Sequence, residues 1–198
     1  MNAACQSIIR LSTALVQRYA PELERRSRPH LRPANDSYRV DETYVKIKGK
    51  WYYLYRAVDS TGQTIDFMLS AKRDARAAKR FFRKMLKAPK HQSPRVINVD
   101  QNRSYPLAVE ELKEEGVLSV AAQLRQCKYL NNIVEQDHRF IRRRVNPGLG
   151  FFSFNTARRT IGGYEVMNMT RKGQVEGIGK GDIRRQVRFV AALFNVAA

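Results

Sequence analysis

Between Tyr38 and Ser70 three β-prone runs alternate with two short turns, and this pattern most narrows the folds open to the chain. Tyr38, Val40, Tyr44, Val45 and Ile47 make the first run, ended by Lys48-Gly49-Lys50. Trp51 to Val58 is the second, Ser60-Thr61-Gly62 the next turn, and Thr64 to Ser70 the third run. Aromatic and β-branched residues fit a pleated surface, and turns this short force consecutive strands to pair antiparallel. A helix is predicted from Asp74 to about Leu86, because Ala78, Phe81, Phe82, Met85 and Leu86 fall on one face. Arg76, Lys79, Arg80, Arg83 and Lys87 fill the other side, which serves solubility or faces a polyanion. Arg95 to Asp100 reads as a short buried strand ending on an acid, Ser104 to Glu115 as a helix stopped by Gly116, and Val120 to Gln126 as a weak fifth strand.

A helix from about Asn131 to Val145 follows, closed by Asn146-Pro147-Gly148. Thr156 to Lys172 reads as a helix interrupted at Gly162-Gly163, and Ile183 to Val196 as the last helix. Ahead of the strands, Cys5 to Arg26 has helical spacing (Ile8, Leu11, Leu15, Tyr19), weakened at Pro21. The basic, proline-punctuated stretch from Arg25 to Pro33 suits either a solvated linker or an arm lying on phosphates. A meander followed by alternating elements predicts an α/β fold with a mixed five-stranded sheet and helices on both faces.

Charge narrows the partners. Lys and Arg total 37 against 18 acids, a net charge of +19 in 198 residues, which points to a polyanion and first of all to nucleic acid. Mean hydropathy is −0.52, and no apolar run approaches the roughly 20 residues needed to span a bilayer. The N-terminus lacks the features of a signal peptide. Cys5 and Cys127 alone make neither a disulfide framework nor a four-ligand zinc site, so a cytoplasmic, nucleoid-associated protein is expected.

Three acids stand where chemistry is plausible. Asp41 lies within the first β run, where strand propensity and burial both disfavour a carboxylate. Asp100 ends the fourth strand, and open sheets build sites at strand carboxyl ends. Glu135 lies on the helix after the fifth strand, sharing a face with Arg139 and Arg142 at i+4 and i+7. If the first and fourth strands are neighbours, the three can converge. Packed carboxylates repel unless cations neutralise them, and hard oxygen ligands select Mg²⁺ or Mn²⁺. Two such ions about 4 Å apart clamp the two oxygens of a phosphoryl transfer. Choosing three among 18 acids is easy, so spacing alone also admits unrelated carboxylates and an ordinary Glu135–Arg139 pair. His138, three residues after Glu135, reads as structural or DNA-facing, and Trp51 with Tyr52 to Tyr55 as sheet packing.

These residues carry a resemblance. Val40-Asp41-Glu42-Thr43-Tyr44, Asn98-Val99-Asp100, Lys128 to Asn132 with Glu135-Gln136-Asp137-His138, and Gly163 to Met167 with Arg171-Lys172-Gly173 resemble bacterial insertion-sequence transposases of the Asp-Asp-Glu class, most of all the insertion-sequence six family. The 34 residues between Asp100 and Glu135 match the separation in such transposases and in retroviral integrases, and Arg142 stands where the family has a basic residue. The resemblance implies a ribonuclease-H-like catalytic core with two Mg²⁺ or Mn²⁺ ions on Asp41, Asp100 and Glu135. It implies DNA strand cleavage and transfer of a 3′-hydroxyl to target DNA by at least a dimer. Lys128, Arg139, Arg142, Arg143 and Tyr105 would contact DNA, with Tyr105 either stacking on a base or sugar or serving as a buried core tyrosine. Expected regions are an N-terminal helix and basic linker (1–37), left from a helix-turn-helix domain, a catalytic domain (38–172) and a helical extension (173–198). Gln101 replaces the usual lysine, and most of the family's end-recognition domain lacks a counterpart. The alternative is therefore a truncated copy that only binds DNA or a partner.

Overall fold

The computed structural model describes residues 3–88, 92–127, 132–145 and 151–197, without the side chains of 3–10 and 132–137. These residues form two compact units, 33–150 and 1–32 with 151–198.

The first unit is built on five strands: β1 (Ser37–Ile47), β2 (Lys50–Asp59), β3 (Thr64–Ser70), β4 (Val96–Val99) and β5 (Gln123–Gln126), ordered β3-β2-β1-β4-β5. The meander expected from the sequence is present: β1 pairs antiparallel with β2, and β2 with β3. Lys48 and Gly49 turn the first hairpin with φ of 47° and 77°, the left-handed geometry that matches the twist of a two-residue turn. β4 enters parallel to β1, with Arg39 opposite Asn98, and β5 extends the sheet parallel to β4.

Helices α2 (Ala75–Leu86) and α3 (Ser104–Glu114) cover one face of the sheet. Asp74 starts α2 by accepting a bond from the Ala77 N–H at 2.8 Å, which satisfies a donor that the helix itself leaves open. Phe81, Phe82 and Met85 then pack with Tyr38, Val40, Tyr55, Ile97, Tyr105 and Leu112, each large apolar side chain contributing roughly 1.5–3 kcal/mol by burial. The basic side of α2 is partly neutralised within the unit, since Lys79 pairs with Glu111 and Glu115, and Arg83 with Glu115. α4 (Asn132–Val145) lies against β1 and β2 on the other face, burying Ile141 and Val145.

The second unit contains α1 (Ala3–Ser27), α5 (Phe154–Arg171) and α6 (Ile183–Leu193). Residues 151–172 group with α1 in this unit. Gly162-Gly163 does not interrupt α5. A side chain at 163 would stand 2.8 Å from the Ala20 Cβ, so the glycine lets α1 approach a continuous helix. Gln17 adds bonds to the Thr160 hydroxyl at 2.7 Å and the Thr156 carbonyl at 3.2 Å. α1 also runs through Pro21. The basic stretch after it is not an extended arm. Arg25 and Arg26 pair with Glu22, and Arg28 with Glu24. The chain then makes a 3-10 turn (Arg28–His30), and Leu31 bridges to Val175. No helix among the described residues is long and apolar enough to cross a membrane.

Candidate active site

Parallel pairing of β1 with β4 brings the middle of β1 beside the carboxyl end of β4. Asp41, Glu42 and Asp100 meet there, one carboxylate oxygen from each lying within 4.8 Å of the others. Successive strand residues point to opposite faces, so the neighbouring acids Asp41 and Glu42 have different surroundings.

Glu42 faces the α2–α3 side, and its side chain is 1% exposed. A carboxylate buried to that degree must be paired and hydrogen-bonded, and both its oxygens are. Tyr105 donates its hydroxyl to one oxygen, while Arg73 pairs with the other, which also accepts from the Asn102 amide at 3.1 Å. The Tyr105 hydroxyl is held well above its ordinary range by burial first and then by the Glu42 charge, so it stays a donor. Of the two roles read for Tyr105, the core one fits and the stacking one does not: the ring is 0% exposed, beside Phe82. Arg73 is the bridge between acids, its second nitrogen lying 3.1 Å from Asp100. Burial works against the Arg73 charge, but the bond and charge of Glu42, aided by Asp100, outweigh it.

Asp41 and Asp100 are more open, with side chains 17% and 31% exposed. One Asp41 oxygen accepts from the Glu42 N–H at 2.8 Å, and an Asp100 oxygen from the Asn102 N–H at 3.0 Å. Partial burial raises the Asp100 carboxyl above its ordinary range; the Asn102 N–H opposes the rise, Glu42 adds to it and Arg73 opposes it. The donor chemistry suits a divalent cation. Two carboxylates on adjacent strands offer oxygens at a partly open edge, and Glu42 behind them is already committed to three donors.

From the α4 side, His138 is buried, its Nδ1 3.8 Å from an Asp41 oxygen. It is therefore structural rather than on a DNA-facing surface. Arg142 donates from Nε to the Thr43 hydroxyl at 2.9 Å, and Arg139, Arg142 and Arg143 are exposed along α4. Glu135 lies on α4, but its side chain is outside the described residues, as is Lys128 altogether. Gln101 is exposed next to Asp100. Sequence reasoning missed Glu42 and Arg73. The available signal was a second acid beside Asp41 on the core side of a strand, which needs a buried cation. A larger cavity, about 820 Å³, belongs to the helical unit and carries no carboxylate, its walls including Tyr19, Met167, Val187 and Phe194.

The family described as "DDE domain" matches residues 35–174. The transposase for insertion sequence-like element IS431mec of Staphylococcus aureus is 39% identical over 152 residues, which is 77% of this chain and 65% of that protein. The transposase for insertion sequence element IS257 in transposon Tn4003, also from Staphylococcus aureus, matches equally. The chain thus spans 65% of the length of these relatives. Among solved structures, the catalytic core domain of BIV integrase superposes with a TM-score of 0.52 at 12% identity, covering 80% of this chain and 98% of that one. That likeness is one of fold.

Proposed function

The chain belongs to the DDE-domain family of insertion-sequence transposases, the insertion-sequence six group, and from this premise we propose that its sheet unit catalyses metal-dependent DNA strand cleavage and transfer of a 3′-hydroxyl end into target DNA. The fold is the ribonuclease-H-like α/β core that the sequence led us to expect. The observation that carries the proposal is the convergence of Asp41 and Asp100 at the edge between β1 and β4, with their oxygens within 4.8 Å and partly open. Asp41 and Asp100, with Glu135 of α4 as third ligand, would hold two Mg²⁺ or Mn²⁺ ions. Bound there, such ions supply charge neutralisation at the phosphoryl group and a more acidic attacking hydroxyl.

The chain's own residues do the rest. Glu42 anchors the site from behind, and Arg73 restrains the Asp100 carboxylate on one side. The Asn102 N–H fixes the other Asp100 oxygen, and the Glu42 N–H does the same for Asp41, so both acids are oriented before any ligand arrives. Arg139, Arg142 and Arg143 along α4, with Lys128, would grip phosphates, Arg142 already being oriented by Thr43. The active form would be at least a dimer of this chain, working on DNA in the cytoplasm.

One observation favours the second reading, a DNA-binding protein without catalysis: Gln101 puts no charge beside Asp100. Arg73 supplies a cation there instead, 3.1 Å from Asp100. A strand-transfer assay with Mg²⁺ and a pre-cut DNA end separates the two. The catalytic reading expects joined product that Asp100→Asn abolishes while DNA binding persists. Equal product from the variant, or binding without any product from the unaltered chain, ends it.

A further inference from the structure

The β1–β2 hairpin continues past the acidic site, and on one face of its outer rungs two large rings stay more than a third open. On the face that carries Glu42, the rungs run Glu42 opposite Tyr55, Tyr44 opposite Tyr53, and Lys46 opposite Trp51. Along this ladder exposure climbs. Tyr55 is buried, whereas Tyr44 is 50% and Trp51 59% exposed. Trp51 packs across the sheet as expected, against Tyr44 and Lys46, but leaves more than half of its surface open. Tyr44 stands edge-on to Trp51 at 6.1 Å between centroids and tilted against Tyr53 at 5.4 Å. Lys46 Nζ lies 5.7 Å from the Trp51 ring. Two large rings held side by side at an exposed edge make an apolar patch, which marks an interaction surface where a single exposed ring does not.

The charge pattern is one-sided. From Thr43 to Val58 the chain has no acid, while Lys46, Lys48 and Lys50 cluster at the tip. Across the sheet from Tyr53 stands Ser70, at the edge of a cavity of about 290 Å³ lined also by Lys72, Arg76 and Arg80. Arg80 donates to the Ser70 hydroxyl at 3.2 Å, and Asp74, the acid in that wall, is turned to cap α2. Tyr44 is two strand residues beyond Glu42, about 7 Å. The aromatic strip therefore begins behind the acidic site, on the Glu42 face of the sheet, and leads away toward the hairpin tip, flanked by cations.

We propose that this hairpin face is a binding platform for an unpaired DNA strand, with bases stacking on Tyr44 and Trp51 and phosphates held by Lys46 and the Ser70–Lys72–Arg76–Arg80 cavity. The inference rests on the reading of the site as one that acts on DNA. Stacking needs the open π-face of a base, which a single strand or a frayed end presents and an intact duplex does not.

Trp51 is the chain's single tryptophan, so its emission reports on this surface alone. The full chain is titrated with a fluorescein-labelled oligothymidylate, reading anisotropy, and with the unlabelled oligonucleotide, reading tryptophan emission. The expected result is quenching of Trp51 by more than half, with the same midpoint as the anisotropy change. Trp51→Phe should bind within about 2-fold of the unaltered chain. Trp51→Ala should bind roughly 10-fold more weakly, within the ~5- to 150-fold expected for one lost stack. Tyr44→Ala, which keeps the reporter, should weaken binding and quenching together. Anisotropy binding without quenching, unchanged affinity in both alanine variants, or equal quenching by a blunt duplex overturns the platform and leaves the DNA reading standing. No binding to any DNA overturns that reading, and the platform with it.

Discussion

Replacing Tyr105 with phenylalanine removes one oxygen atom and, by the structure, one of the three donors holding Glu42. The ring stays where it packs against Phe82, and no cavity of side-chain size opens, so the change isolates the hydrogen bond. A bond from a hydroxyl to a buried carboxylate is worth about 1.5–3 kcal/mol. Arg73 and the Asn102 amide remain on the other oxygen, which places the expected loss at about 2 kcal/mol. The two compact units need not unfold together, so the probe must sit in the sheet unit. Trp51 on β2 does. With a urea m-value of about 2 kcal/mol/M, the midpoint followed by Trp51 emission should fall by about 1 M. A fall below about 0.25 M, roughly 0.5 kcal/mol, would show that Tyr105 does not hold Glu42 and that the anchor behind the acids is wrongly described.

Other consequences follow from the same contacts. Asp100→Asn should stabilise the sheet unit at neutral pH, because burial holds the native carboxyl above its ordinary value of 3.8 and its ionisation therefore disfavours the folded state. The sign requires this gain to shrink as pH falls through the raised native value and to vanish below about 3.8; thermal melts from pH 3 to 8 read it, and a pH-independent difference would exclude the burial account. Gly163→Ala should destabilise the helical unit despite alanine's better helix propensity of about 1 kcal/mol, because the new Cβ would meet the Ala20 Cβ at 2.8 Å. Overpacking of this kind costs about 1–3 kcal/mol, so circular-dichroism melts should show a lower midpoint, and a higher one would mean that α1 moves away freely.

Much of the sheet unit was legible because its signals are periodic or local. Short turns fixed the meander, one apolar stripe fixed α2, and an apolar run ending on Asp100 marked the strand that lies beside β1. The adjacency of Asp41 and Asp100 followed from that pairing. Glu42 was passed over because, in sequence, an acid beside Asp41 looks like a second exposed charge; only alternation across a sheet covered on both faces drives it inward. Its partners Arg73 and Tyr105 are 31 and 63 residues away, and no local pattern connects such positions. Gly162-Gly163 reads as a break by propensity, yet tertiary packing of α1 overrides propensity. The misread basic stretch is a different case, since Glu22 with Arg25 and Arg26, and Glu24 with Arg28, stand at i,i+3 and i,i+4 in plain sequence.

On the proposed function, Asp41 and Asp100 hold a divalent metal while Glu42, equally close in space, is held back by Arg73, Tyr105 and Asn102. Isothermal titration of Mn²⁺ into the full chain tests it without DNA or turnover. The expected result is saturable binding that Asp41→Asn and Asp100→Asn each abolish, and that Asp36→Asn, at the exposed pair with Arg95, leaves unchanged. Mn²⁺ binding that survives in both of the first two variants would contradict it.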